Sequence, residues 1–237
     1  IFVVLMSSSV SWVENDMIIM MGQAARKIKL LQKLQELSFI DIVDFFPNAS
    51  TEQLLEIYGI LGGVPGYLTL WDAKKTTKEN VCNLILKEHG SLRHEAARFL
   101  KSQLRELSSY HTILSAMAGE DVAKLNDIFE TTGYGRAKIS VYLKNLMEMD
   151  VVEKVFSYEN YGKDNTQKGL YKIKDTFLRF WFAFVFPNLS ALMTMEPETV
   201  YDSRVKPGLR QYYSSVFSQI AQEYLLFMNE LKRLPVR

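Results

Sequence analysis

A mainly α-helical fold with small β elements is predicted by three observations. Apolar residues recur at helical spacing over most of residues 38–149, two short alternating segments flank a polar loop within residues 151–174, and another amphipathic stretch covers residues 209–231. With 237 residues and 48% hydrophobic content, the chain can bury one large core or two to three small ones and is not disordered. Its 28 Lys and Arg nearly balance its 27 Asp and Glu. A nucleic-acid surface would therefore be a local patch rather than a global excess of charge.

Residues 1–6 (IFVVLM) form an apolar, β-branched-rich run that stops at Ser7, Ser8 and Ser9, the pattern of a strand buried on both faces of a parallel sheet. A short helix is expected over residues 12–21 and a second strand over residues 26–30. The first residue is Ile rather than Met and no polar lead-in precedes the run, which suggests a piece of something longer or a truncated reading frame. The run lacks the basic leader of a signal peptide. Neither it nor FWFAFVF at residues 180–186 approaches the roughly 20 apolar residues of a spanning helix, so a cytoplasmic protein without membrane contact is expected. Cys82 is the sole cysteine and there are three histidines, which excludes an internal disulfide and gives no basis for a structural zinc site.

From Ser38 the period becomes helical. Ile40, Val43 and Phe46 share one face, followed by Leu54, Leu55, Tyr58 and Leu61, closed by Gly62 and Gly63. Helices over residues 64–71, 77–89 and 92–107 continue the pattern, with a surface connection at residues 72–77. Three more, at residues 110–118, 122–131 and 135–149, follow in close order. TTGYG at residues 131–135 turns between the last two in a helix-turn-helix arrangement. Strands are expected at residues 151–158 and 169–174, with Tyr171 and Ile173 on one side and Lys172 and Lys174 on the other. The loop NYGKDNTQK between them reads as a wing. Residues 177–186 are too aromatic for a solvated helix and are expected to wedge between domains until Pro187 ends them. Tyr213, Phe217, Ile220, Tyr224 and Phe227 mark the buried stripe expected of the last helix.

In the third helix of the trio, Ile139, Leu143 and Leu146 form the packed stripe. Arg136, Lys138, Ser140, Tyr142 and Lys144 are left wholly or partly accessible. With Lys163 and Lys168 on the wing, these residue types suit phosphate and base-edge contacts to duplex DNA. Glu148, Glu153 and Glu159 dilute the local charge, and the same face also suits a packing or oligomerisation module. His89, His94 and His111 lie on separate helices with no second ligand at i+4, and Cys82 sits in an apolar helix. Neither a metal site nor a catalytic residue is expected.

Three segments together carry a resemblance: SSSVSWVEN at residues 7–15, YGILGGVPGYL at residues 58–68 and YKIKDTFLRFWFAFVFPN at residues 171–188. They resemble the archaeal-type P-loop ATPases of prokaryotes, members of the AAA+/STAND group with a C-terminal winged helix and a nuclease-like tail. The resemblance spans nearly the whole chain, and the aromatic block is its most specific element. It implies an α/β ATPase-core remnant with the sensor strand at residues 1–37 and a helical lid at residues 38–108. A winged helix-turn-helix at residues 109–175 would follow, then an aromatic linker helix with the start of a nuclease-like domain at residues 176–237.

In that scheme Ser8 would take the polar sensor position near the γ-phosphate, and Gly62, Gly63 and Pro65 would form the turn lying against the adenine side of a nucleotide. Residues 7–9 could equally just end a strand, and the Gly-Gly-Val-Pro element equally suits a plain helix C-cap followed by a Pro-initiated helix. No GxxxxGK[ST] sequence occurs within residues 1–237, and no apolar strand ending in paired acidic residues is found ahead of the sensor strand in this sequence. The resemblance therefore implies ATP and Mg in the intact family protein, with neither bound nor hydrolysed by this chain alone. Gln23 and Ala24 follow Gly22 where the family has a basic pair, and Ser218 stands where a nuclease-like tail tends to carry glutamate. The implied role is nucleotide sensing by the lid coupled to the winged helix, with an upstream ATPase half, a second copy of the chain or duplex DNA as partner. The alternative is a non-enzymatic winged-helix DNA-binding regulator or a protein-interaction module.

Overall fold

The computed structural model describes residues 3–7, 10–156 and 169–234, and along them several helices begin at a side-chain cap. The N-terminal part departs most from expectation. Residues 3–7 carry no regular secondary structure, and Val3, Val4, Leu5 and Met6 are 65% to 92% exposed. The helical turns α1 (Val10–Trp12), a π turn (Val13–Met17) and α2 (Ile18–Met21) follow, then a 3-10 stretch at Gly22–Lys27 where the second strand was expected. Neither predicted strand forms among the described residues. A strand satisfies its backbone only against a neighbouring strand, and the chain's small sheet pairs no segment with these residues.

Capping then sets the helix boundaries. Ser38 and Asp41 form a reciprocal capping box that opens α3 (Phe39–Phe45), and Ser50 with Gln53 does the same for α4 (Thr51–Leu61). Ile42 is the buried residue of α3. Ile40 and Val43, expected on the packed face, are 39% and 43% exposed because α3 meets α4 through the Ile42 side. α4 ends at Gly62, whose φ of 67° suits glycine, and Pro65 opens α5 (Pro65–Leu68). Thr76 and Glu79 cap α6 (Thr77–Val81), which continues through a π turn at Cys82–Leu86. The helix predicted over residues 92–107 is two: α7 (Glu95–Gln103) stops where Leu104 becomes extended, and α8 (Leu107–Ala118) starts afresh.

α8 leads into β1 (Ala123–Lys124), α9 (Leu125–Thr132) and α10 (Arg136–Glu148), with Gly133 in the left-handed region closing α9. β2 (Val152–Val155) and β3 (Leu170–Ile173) complete a three-stranded antiparallel sheet of order β1-β3-β2, with Val152 opposite Ile173 and Ala123 opposite Tyr171. At two residues, β1 is too short to leave an alternation in the sequence. β3 also departs from its expected facing: Lys172, placed on the open side, is 6% exposed.

The aromatic block folds as α11 (Thr176–Phe180), a π turn at Trp181–Val185 and a 3-10 turn at Phe186–Asn188. After α12 (Pro197–Val200) comes α13 (Lys206–Glu230), about 37 Å long at 1.5 Å per residue. The buried apolar residues from Ile42 to Ile220 form one cluster that joins the helices before residue 108, the sheet unit and the aromatic block. Phe177, Phe180 and Phe182 are among its largest fully buried side chains, each worth about 2–3 kcal/mol of burial. In α13 the buried stripe is Leu209, Tyr212, Val216 and Ile220, whereas Phe217, Tyr224 and Phe227 are 61%, 50% and 41% exposed. The helix has two apolar stripes roughly a quarter-turn apart, and α4 with the rings of Phe180 and Phe184 takes up the other one. Among the described residues, no helix is long and apolar enough to cross a membrane.

Candidate functional site

The Gly62–Gly63 turn is the tightest backbone junction near the predicted sensing residues. A Cβ on Gly63 would lie 1.9 Å from the Leu37 carbonyl oxygen, and one on Gly62 would lie 3.3 Å from Glu36 Oε2 and 3.5 Å from Thr176 Cβ. The Leu37 N–H donates to the Gly63 carbonyl (2.9 Å), and the Gly63 N–H donates to Glu36 Oε2 (3.4 Å). The turn is thus clamped between residues 36–37 and the start of α11. Pro65 lies beside it at the head of α5. Ser8 lies outside the described residues.

Two acids sit at this junction. Asp175 caps α11 by accepting from the Leu178 N–H (2.8 Å). Burial, followed by the charge of Glu36, raises its carboxyl to about 7. Glu36 keeps much of its surface in solvent, but its Oε2 turns inward to Gly63, and withdrawal of the carboxyl from water raises its pKa as well. Lys174 pairs with Asp150 (2.8 Å), which also meets Lys33 (3.3 Å). On the α13 side, the Tyr58 hydroxyl donates to Glu223 Oε1 (2.8 Å). Of these acids, Asp175 and Glu36 are the two whose carboxyls are raised, where three chain segments meet.

The α10 face is only partly as expected. Ile139, Leu143 and Leu146 are fully buried, and Arg136, Lys138, Ser140 and Lys144 are exposed. Tyr142 is not accessible: it is 8% exposed, stacks 4.5 Å from Tyr110 and donates its hydroxyl to Glu106. Its position, just before Leu143, turns it toward α8. Three of the cations are occupied within the fold. Arg136 bonds to Asn126 and lies 4.2 Å over the Phe129 ring, Lys138 lies 4.2 Å over Tyr134, and Lys144 pairs with Glu148 (3.8 Å). Lys163 and Lys168 lie outside the described residues.

Sequence reading missed a second polar centre. Arg179, the one charged residue in TFLRFWFAFVF, is 3% exposed and reaches Ser215 Oγ (2.6 Å), the Glu120 carbonyl (3.4 Å) and Asp121 (3.5 Å). The signal was available, since a charge inside an apolar run that folds into a core must find partners there. Cys82 is buried as expected, and burial raises its thiol to about 11.

A family described as archaeal and bacterial proteins of unknown function, DUF234, matches residues 181–237. An uncharacterized protein of Methanocaldococcus jannaschii is 33% identical over 211 residues, covering 86% of this chain and 45% of that protein. The chain therefore spans just under half the length of this curated relative. No solved structure matches the chain.

Proposed function

We propose that the chain acts as the C-terminal part of a nucleotide-dependent ATPase of the AAA+/STAND type. Residues 38–108 would be its lid and residues 109–175 its winged helix, and ATP and Mg would be held mainly by polypeptide other than this chain. The observation that carries the reading is the exposed apolar side chains before residue 35. Val3, Val4, Leu5, Met6, Ile19, Met20, Leu30 and Leu34 are each 65% or more exposed, the first four in a run whose sequence reads as a core strand. Apolar surface of that extent calls for a partner that covers it. The matched relative, more than twice as long as the aligned region, has polypeptide to supply one. In this reading Ser8 senses the γ-phosphate, and Gly62, Gly63 and Pro65 transmit occupancy through residues 36–37 and α11 to the sheet unit. This chain alone would not hydrolyse ATP.

The test uses the full-length Methanocaldococcus protein. ATP with Mg is expected to slow amide exchange in the region matching residues 58–68, and the change equivalent to Pro65→Ala should reduce that protection. If the full-length protein binds no ATP, or if exchange in that region is indifferent to it, the reading is wrong.

Duplex DNA binding through α10 is the second reading. It is favoured by the first turn of α10, which carries Arg136 and Lys138, has no acid and leaves its N–H groups without a side-chain cap. Salt-sensitive duplex binding lost in Arg136→Ala with Lys138→Ala would support it.

A further inference from the structure

A buried cation in this fold, Arg179, keeps donors without acceptors, and a second basic residue, Lys172, is buried beside it. Arg179 on α11 is 3% exposed and Lys172 on β3 is 6% exposed. The Nη2 of Arg179 is engaged by Ser215, Glu120 and Asp121, and the hydroxyl of Ser215 is itself committed to the Tyr212 carbonyl (2.8 Å). The Nε and Nη1 of Arg179 are buried with no hydrogen-bond partner, beneath a Tyr212 ring whose centroid is 5.3 Å from the guanidinium carbon. The Lys172 backbone belongs to the β2–β3 ladder, while its ammonium makes no hydrogen bond to another described residue. The charges acting on it are Asp121, Arg179, Glu153 and Glu223, and burial lowers its pKa.

Asp121 is the near counter-charge for both cations, yet its side chain is 46% exposed and stands 3.5 Å from Arg179, longer than a charge-assisted hydrogen bond. The imbalance is one of hydrogen bonding: two buried N–H groups of Arg179 have no acceptor, and Asp121 is too far and too solvated to serve them. Unpaired buried charge is destabilising, and an orphaned buried donor points to an ion or water that completes it. Orphaned guanidinium donors call for an acceptor, which an oxyanion supplies and a metal cation does not. A dianionic oxyanion could replace Asp121, neutralise both cations and offer several acceptors to an Arg fork and a Lys ammonium. Residues 119–121 are exposed and the Asp121 side chain is 46% exposed, so its carboxylate can turn into solvent.

We propose that Lys172 and Arg179 bind a phosphate-type oxyanion beside the 119–122 loop, with the Asp121 carboxylate swinging into solvent to admit it. The site joins β3, α11 and α13, so occupancy would tie the sheet unit to the final helix. It requires no nucleotide at the Gly62–Gly63 turn.

The test is thermal unfolding of the whole chain in inorganic phosphate against chloride of equal ionic strength, with 31P line broadening as a direct readout. Phosphate should raise Tm saturably by a few degrees, and sulfate should do the same. Asp121→Asn, a surface change, removes the competing carboxylate and should tighten phosphate binding about 10-fold. Lys172→Met should raise Tm in chloride, because a buried charge is gone, while abolishing the phosphate response. Tighter binding of ATP or of a short duplex than of phosphate would support the site and identify its source as a larger phosphoryl ligand. The proposal is overturned if wild type shows no phosphate-specific rise, or if Lys172→Met keeps it. Should Lys172→Met fail to fold, unchanged affinity in Asp121→Asn overturns it instead.

Discussion

Residues 3–6 and residues 177–185 are both strongly apolar runs, yet the first is 65% to 92% exposed while the second supplies much of the core. The difference lies in the backbone rather than the side chains. Residues 177–185 fold as α11 and a π turn, so their N–H and C=O groups are satisfied internally, and burial asks only for side-chain partners. Those are at hand: Phe180 meets Phe184 and Tyr212, and Trp181 donates its indole N–H to the Arg93 carbonyl (3.2 Å). Residues 3–6 have the composition of a strand, which can be buried only with its backbone paired to another. Hydrophobicity thus states a demand for burial, and secondary structure decides whether the chain can meet that demand by itself.

The largest effect that would break this contrast is a cavity in the aromatic block. Phe180 is fully buried and its ring meets Phe184 in the π turn and Tyr212 on α13, so Phe180→Ala should cost about 3–5 kcal/mol in urea unfolding. A cost below about 1 kcal/mol would mean that the block is no better packed than the N-terminal run.

A medium effect concerns Asp175, the cap on which the block begins. Its carboxyl is raised to about 7, first by burial and then by Glu36, so the folded state holds a proton that the unfolded chain releases near pH 4. The resulting stability is complete below the unfolded value and is lost as pH rises through about 7. Asp175→Asn keeps the cap acceptor and removes the titration. Relative to this variant, wild type should lose on the order of 2 kcal/mol between pH 5 and pH 8, a figure that allows for solvent screening at a partly exposed junction. Parallel pH profiles for the two proteins would place the Asp175 pKa near its ordinary value.

How much was legible in the sequence follows the same division between local and non-local physics. The existence of most helices and the glycine and proline signals at their ends were readable because those signals are local. Gly62 before Pro65 marked the α4–α5 boundary, and Ile139, Leu143 and Leu146 gave the buried face of α10. Facing was less readable where a helix carries two apolar stripes, and in α13 the choice between Phe217 and Val216 was made by α4, far away in sequence. The sensing turn was visible as glycines. Its clamp on Glu36 and Leu37 was not, because nothing local to residues 36–37 signals a partner 26 residues onward. Tyr142 and Lys172 were misplaced for one reason: a polar tip on a long side chain reads as exposed, whereas each lies in the body with its stem packed.

The smallest expected effect falls on the N-terminal run itself. Leu5 is 75% exposed, so Leu5→Ser should change unfolding stability by less than about 0.5 kcal/mol, while lowering the binding of a hydrophobic dye to the chain. The two readouts separate two meanings of an apolar residue. One measures what this chain buries, and the other measures what it leaves available to a partner. A stability loss above about 1 kcal/mol would show that residues 3–6 are packed in the folded chain, which would remove the observation on which the ATPase reading rests. A neutral effect with reduced dye binding would leave that surface as one whose burial depends on polypeptide other than residues 37–234.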